Sequence, residues 1–404
     1  MNILHVNFSD SEGGAAQAVL RIHKLLLKKK INSKMLVCEK KDKNDHIIFP
    51  SSRFEIAKIN LKKKISRNLG FIFKTQNKNT HSINLIPSGL HRKINKLNPE
   101  WVNLHWIGNE MISIKEISKI RSKIIWTLHD MWPLCGAEHY TFDERFIDGY
   151  KKDNRPNYER KFDLNKFVWN TKVKYLNKVE KIICTSDWMY KKAKKSFLFK
   201  DKYIELIPLT IDKDSWKSFD KNYSKKLLGI EKNQKVILFG ADNFLKNSRK
   251  GFQYFCNAIK ILKQKSKINY KVLLFGEDIK TSGFSIENYK NLGYVNDEHT
   301  LKLIYSAADV TVIPSILESF GLVALEAIHC GSPCVVFNQT GLTSLIEHKK
   351  NGYISDYKSN ESLAEGILWC LEHFVNSEDK IREFAINKFD QDIFIKNYLN
   401  FLKR

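Results

Sequence analysis

At 404 residues the chain is too long for one ordinary hydrophobic core, and its 43% apolar and 12% aromatic content is that of a globular protein, not a disordered or fibrous one. Its formal charge of +24 is unevenly placed: residues 1–200 hold 40 Lys and Arg against 19 Asp and Glu, whereas residues 201–404 hold 28 against 25. No stretch is long and apolar enough to span a bilayer, and Asn2–Asn7 reads as a strand followed by Asp10 and Glu12 instead of a secretory leader.

In chain order, Ile3–Val6 is a first strand, and Phe8–Ala16, with the adjacent Gly13 and Gly14, turns into a helix over Gln17–Leu27. Paired glycines at such a turn let a ligand approach the backbone, although a Gly-Gly is often only a turn. Lys34–Cys38 is the second strand. Arg53–Lys74 mixes Ile56, Ile59, Ile65 and Leu69 with Lys58, Lys62, Lys63, Lys64 and Arg67, ending in Phe71-Ile72-Phe73. That is the pattern of a basic amphipathic helix lying in a membrane interface, or of a surface helix packed on its own domain. Trp101–His105 and Ile124–His129 are further strands. The second runs into His129-Asp130-Met131-Trp132-Pro133 and then Glu138-His139-Tyr140, polar residues just past a strand's carboxyl end, where parallel α/β sheets bind ligands. Phe162–Val179 is helical, Lys181–Thr185 and Tyr203–Ile207 are strands, and Lys191–Lys195 is a solvated helical face.

The second half repeats the alternation. Val236–Gly240 is a strand, followed by Arg249-Lys250-Gly251 and a helix over Phe252–Lys263. A lysine at the mouth of such a loop suits a diphosphate. Val272–Gly276 is the next strand, then come Leu292–Val295 and a helix over Leu301–Ala308. The stretch Asp309–Phe337 reads strand (Val310–Ile313), loop (Ser315–Phe320), helix (Gly321–His329) and strand (Cys334–Phe337), a parallel crossover unit. Its loop opens onto a helix N-terminus, whose unpaired N–H groups favour a phosphate. Glu318 stands in the loop and Glu326 is the one acid on an apolar helix. Ionised carboxylates accept hydrogen bonds only, so two of them lining a cleft fit the hydroxyls of a sugar. The bland alternative makes Glu326 a solvated position and Glu318 a partner of the helix dipole. Ser362–Phe374 and Asp392–Leu402 are helices, and Asn351-Gly352 is a turn.

Glu318-Ser-Phe-Gly-Leu-Val-Ala-Leu-Glu326 resembles the Glu-x7-Glu element of retaining GT-B glycosyltransferases of glycosyltransferase family 4. Further segments resemble that family in order along nearly the whole chain: Gly13-Gly14, His129–Tyr140, the connection Pro208–Asp212, Arg249-Lys250-Gly251 and Leu292–Val295. The resemblance implies that Glu318 meets the donor sugar's hydroxyls and Glu326 the ribose of the nucleotide. Phe320, Gly321 and Leu322 offer backbone N–H groups to sugar and phosphates, Lys250 the diphosphate charge, and Tyr294 and Val295 the base contact. His129 and Asp130 stand near the transferred sugar, with Trp132, Glu138, His139 and Tyr140 on the acceptor side. Two departures stand out. Where relatives place an arginine five residues before the lysine this chain has Leu245, which leaves Arg249 or Lys246 to substitute, and Asn338–Leu342 replaces a Gly-Gly.

The resulting expectation is an α/β protein of the GT-B fold, two Rossmann-like domains facing across a cleft. Residues 1–210, joined by a terminal helix over 390–404, form the acceptor domain and 211–389 the nucleotide-sugar domain. Its reaction moves a sugar, with retention and by front-face attack, from a nucleotide-diphosphate sugar to a hydroxyl of a glycan or undecaprenyl-diphosphate-linked acceptor, as in surface-polysaccharide synthesis. The alternatives are a sugar-nucleotide epimerase of the same fold and a non-catalytic carbohydrate- or nucleotide-binding relative. No cofactor and no metal are expected: Asp212-Lys-Asp214 sits in a linker, and Cys135 is the only cysteine where some relatives have several. The seven scattered cysteines, with no Cys-x-x-Cys pair, read as those of a reduced, cytoplasmic protein. Its basic half points to the anionic inner face of a membrane. Nucleic acid is not expected, since no recognised module is present and lysines outnumber arginines 57 to 11.

Overall fold

Strands buried on both faces of a parallel sheet need an apolar residue at nearly every position, and the short runs Trp101–Leu104, Val310–Ile313 and Cys334–Phe337 are buried throughout. The structure, a computed structural model, describes residues 1–50, 52–68, 73–277 and 286–404. It divides into two compact units, Met1–Pro208 with Tyr398–Arg404, and Leu209–Asn397.

Unit 1 holds β1 (Asn2–Val6), β2 (Asn32–Leu36), β3 (Ile47–Ile48), β4 (Phe73–Lys74), β5 (Trp101–Leu104), β6 (Lys123–Leu128), β7 (Arg160–Lys161), β8 (Val179–Cys184) and β9 (Tyr203–Leu206). Its main sheet runs β3-β2-β1-β5-β6-β8-β9 with every pair parallel, and β4 pairs antiparallel with β7 apart from it. Unit 2 holds β10 (Lys235–Gly240), β11 (Tyr270–Phe275), β12 (Tyr289–Asn291), β13 (Val310–Ile313), β14 (Cys334–Phe337) and β15 (Gly352–Ser355), all parallel in the order β12-β11-β10-β13-β14-β15. Counted by appearance, both sheets follow the order third, second, first, fourth, fifth, sixth, and the unit 1 sheet adds a seventh strand at its edge. That is the doubly wound arrangement, whose ligand crevice opens where the order reverses.

The crossover helices start where short polar side chains satisfy first-turn N–H groups. Ser52, Ser186, Asp220, Asp297 and Ser359 each accept from the residue three positions on. Under the unit 2 sheet, Phe239, Phe244, Phe252 and Phe255 pack ring against ring, with Phe244 and Phe252 centred 4.5 Å apart.

Several elements differ from the sequence-based expectation. The first helix begins at Gly13, not Gln17, because its opening residues are small and offer no periodicity to read. The helix within Phe162–Val179 stops at Tyr175, and Val179 already belongs to β8. Gly352, read as a turn, begins β15, where its lack of a side chain lets it lie against Cys334. The helix Arg53–Arg67 is present, but Lys62 and Ser66 turn inward while Ile56, Leu61 and Ile65 face outward. Phe73 is buried in β4, and Leu69, Phe71 and Ile72 lie outside the described residues.

The last helix, Gln391–Lys403, ends in unit 1. There Asn103 donates to the Tyr398 hydroxyl at 3.0 Å, and Lys181 donates to the carbonyls of Phe401 (2.8 Å) and Leu402 (3.3 Å). A cation at a helix C-terminus meets its unpaired carbonyls and the negative end of its dipole. Tyr398→Phe should therefore lower the stability of unit 1 by about 1–2 kcal/mol, the cost of stranding the buried Asn103 amide. Thermal unfolding measures it, and an unchanged transition would show that the contact does not bind the helix to the unit.

Candidate functional site

In unit 2 the sheet order reverses between β10 and β13, so the loops following these two strands frame the crevice. The two loops are fastened together. Gly251 has φ +74°, and a Cβ on it would stand 1.8 Å from the Pro314 carbonyl oxygen, so only glycine allows this approach. Ile316 N–H donates to the Arg249 carbonyl at 2.8 Å. The chain just before Gly251 is thereby held against the loop carrying Glu318. Lys250 Nζ lies 2.8 Å from Glu318 Oε2, and Arg249 Nη1 lies 3.3 Å from the same oxygen while donating to the Leu317 carbonyl.

This cluster sets the charges. Burial alone would raise the Glu318 carboxyl, but Lys250 and then Arg249 outweigh it and hold it down at about 2. Burial lowers the Lys250 ammonium, and Glu318 opposes that change. Glu318 is therefore ionised, paired with two cations in a site largely shielded from water. Leu245, at the position of the family arginine, is exposed and its N–H donates to Glu277, whereas Arg249 stands beside the Glu318 carboxylate.

The Glu318 carbonyl accepts from Gly341 N–H at 2.8 Å, so Asn338–Leu342 seats directly on the Glu318 loop. Gly321, at φ +104°, caps the helix Leu322–His329. One turn further on, Glu326 is buried and accepts from the Tyr305 hydroxyl at 3.0 Å, a contact from the preceding helix, Glu298–Ala307. Phe320 is buried and Leu322 half-buried. Tyr294 is 59% exposed and Val295 half-buried, just past β12. Asp212 accepts from the N–H groups of Asp214 and Ser215, which makes it a turn residue.

Unit 1 has its own reversal between β1 and β5. Gly13 (φ +85°) and Gly14 open the helix Gly13–Lys28 after β1, and a Cβ on Gly13 would meet nothing within 4 Å. His129 stands just past β6, its Nε2 2.9 Å from His105 Nδ1. Burial lowers His129 to about 4, so its ring is neutral at ordinary pH.

The segment after His129 is folded inward. Trp132 is 2%, Glu138 1% and His139 3% exposed, and Tyr140 is buried too. Their polar atoms hold the segment itself. Asp130 accepts from Trp132 N–H at 3.0 Å and lies 2.5 Å from His139 Nδ1. His139 Nε2 lies 2.8 Å from the Ser82 hydroxyl, and the Trp132 indole donates to the Ser82 carbonyl at 2.8 Å. Beneath it, Lys172 is fully buried, donating to the carbonyls of Trp132, Cys135 and Gly136, with its ammonium 3.7 Å from the centre of the Trp132 ring. Three donors meet three acceptors, which is how a lysine becomes tolerable inside a protein. Burial raises Glu138 to about 7.

Among the described residues one carboxylate group has metal-like spacing, Glu138, Asp143 and Glu159. The Arg145 guanidinium is ion-paired with Asp143 and Glu159 and supplies the positive charge there. Sequence reasoning missed Lys172, His5, His105 and Tyr305. Each is a single residue within or at the end of an ordinary strand or helix, and its partner is distant in the chain.

The Glu318 cluster has a pH signature. Its folded-state value of about 2 lies below the ordinary 4.5, so its contribution is present above about 4.5 and is lost as pH falls towards 2. Acid unfolding of the wild type should show unit 2 weakening across that window, and Glu318→Gln should flatten the slope. An equal slope in both proteins would place the acid sensitivity elsewhere.

Residues 220–388 match the family described as Glycosyl transferases group 1. An uncharacterized glycosyltransferase of Methanocaldococcus jannaschii is 34% identical over 192 residues, covering 45% of this chain and 45% of that protein. The O-antigen chain mannosyltransferase B of Escherichia coli is 32% identical over 146 residues, covering 34% of this chain and 36% of that one. In these matches the chain spans half or less of the relative's length. The Anabaena protein HepE, solved in complex with UDP and glucose, superposes over 100% of this chain and 99% of its own with a TM-score of 0.63 at 15% identity. The chain thus has the GT-B fold, and its match to the glycosyl transferases group 1 model falls within its second unit.

Proposed function

We propose that the protein is a retaining glycosyltransferase of family 4 that moves a sugar from a nucleoside-diphosphate sugar to a hydroxyl. The observation that carries this reading is the cluster of Lys250, Arg249 and Glu318 on the two loops flanking the unit 2 reversal, with Glu326 one helix turn beyond. Two cations suit a diphosphate, and ionised carboxylates suit the hydroxyls of a sugar and a ribose. That HepE, of like fold, was solved with UDP and glucose supports a nucleotide-sugar donor.

In this reading Lys250, Arg249, Gly321 and the Gly13-Gly14 backbone hold the diphosphate, Glu318 orients the sugar, Glu326 fixes the ribose and His129 contacts the sugar. The departing diphosphate takes the acceptor's proton. Catalysis is then positioning and charge stabilisation, with no cofactor or metal required. The acceptor is a glycan or a lipid-linked diphosphate of bacterial surface-polysaccharide assembly, a role for which the O-antigen relative's name and the basic first half are the support.

A nucleoside diphosphate at about 100 times its dissociation constant should add roughly 2.7 kcal/mol of stability. The shift should vanish in Glu326→Ala and persist in His129→Ala, which instead loses turnover. Transfer assays should release nucleoside diphosphate only with an acceptor present. Product from the nucleotide-sugar alone would make the protein an epimerase, and binding without turnover would make it a non-catalytic relative.

Membrane contact is proposed at the helix Arg53–Arg67, where Ile56, Leu61 and Ile65 are exposed among Lys58 and Lys64. No helix among the described residues is long and apolar enough to cross a membrane. The protein should sediment with vesicles containing anionic lipid and not with zwitterionic ones, and Leu61→Asp should reduce that by about tenfold. Equal sedimentation of the variant would remove this helix from the membrane surface.

A further inference from the structure

Three imidazoles stand in a row across the unit 1 sheet. His5 is in β1, His105 just past β5 and His129 just past β6, and these strands are neighbours in that order. His105 Nε2 lies 2.9 Å from His5 Nδ1, and His105 Nδ1 lies 2.9 Å from His129 Nε2. His5 and His105 are fully enclosed, and the remaining nitrogen of His5, Nε2, is buried without a hydrogen-bond partner among the described residues. Burial, with His23 adding to it, holds His5 at about 3, and burial, with His5 and His129 adding to it, lowers His105 well below the ordinary histidine value. With His129 at about 4, each ring is neutral and has one proton.

A hydrogen bond between two ring nitrogens uses one proton. In a row of three neutral rings, the choice made at one ring is therefore imposed on the others. Either every ring is protonated on Nδ1 and the N–H groups point from His5 towards His129, or every ring is protonated on Nε2 and they point back. The second arrangement buries an N–H of His5 with no acceptor. The first leaves only a lone pair there, and a stranded buried N–H is the rarer of the two in folded proteins.

We propose that His5 and His105 are positioning residues that hold His129 with its proton on Nδ1, making that nitrogen a hydrogen-bond donor. A donor at this position suits an oxygen of the transferred sugar or of its leaving group, and a neutral ring does so without a charge to desolvate. The inference rests on the transferase reading for its consequence in catalysis, but the proton order itself does not.

The test begins with long-range proton–nitrogen NMR of the full chain labelled at histidine, which distinguishes the two tautomers without a variant. His5, His105 and His129 should all show the Nδ1–H form, and an Nε2–H form at any of them overturns the proposal. His5→Phe then removes the first donor while keeping an aromatic core residue. It should move His129 to a mixture of tautomers and lower kcat by about tenfold with little change in the donor KM. The nucleotide-dependent thermal shift should be retained, which separates this effect from misfolding. A folded His5→Phe protein with the wild-type His129 tautomer and kcat would also sink it. Should the wild type transfer no sugar, the transferase reading fails, and the NMR pattern still decides the proton order of the three rings.

Discussion

A buried carboxylate is costly unless opposite charge lies against it, and Glu318 meets that condition through Lys250 and Arg249. Much of unit 2 is arranged so that this pairing can occur. Gly251 lets the loop after β10 touch Pro314, the Ile316 N–H ties it to Arg249, and the Gly341 N–H seats the segment after β14 on the carbonyl of Glu318 itself. The cluster holds two cations and one anion, so a ligand bearing phosphate charge would complete its balance. On the proposed reading such a ligand competes for the cations and leaves Glu318 to accept from a hydroxyl.

Unit 1 meets a related constraint differently. The segment after His129 is rich in polar groups and lies inside the unit, where each such group needs a partner. Asp130, His139 and Ser82 partner one another, and Lys172 meets three carbonyls of the same segment. Trp132, Glu138 and His139 thereby shape the ground on which His129 stands. These residues, expected from the sequence on the acceptor side, lie buried in this segment together with Tyr140.

The helix Arg53–Arg67 shows what a charge pattern leaves open. Its lysines surround its circumference, so composition identifies a basic helix without saying which face is covered. In the structure Lys63 pairs with Glu39, and Lys62 is buried towards the unit, while three apolar side chains remain outside. Which face is covered is thus a fact of the tertiary structure and not of the charge pattern.

The sequence by itself determined the class of fold and the framework of the site. Apolar runs such as Val310–Ile313 and Cys334–Phe337, separated by helical periodicity, can be buried on both faces only in a parallel crossover sheet, and β13 and β14 occupy those residues. The loop positions of Glu318 and Lys250 followed from the same punctuation by Pro314 and Gly251. Only the tertiary structure decided that those two side chains, 68 residues apart, share one ion pair, and that Arg249 stands beside them while Leu245 faces outward. It alone decided that His5, His105 and His129 form a row. Periodicity along the chain reports which face of an element is apolar. The meeting of two polar side chains depends on strand order and register, which bring together residues that share no local signal.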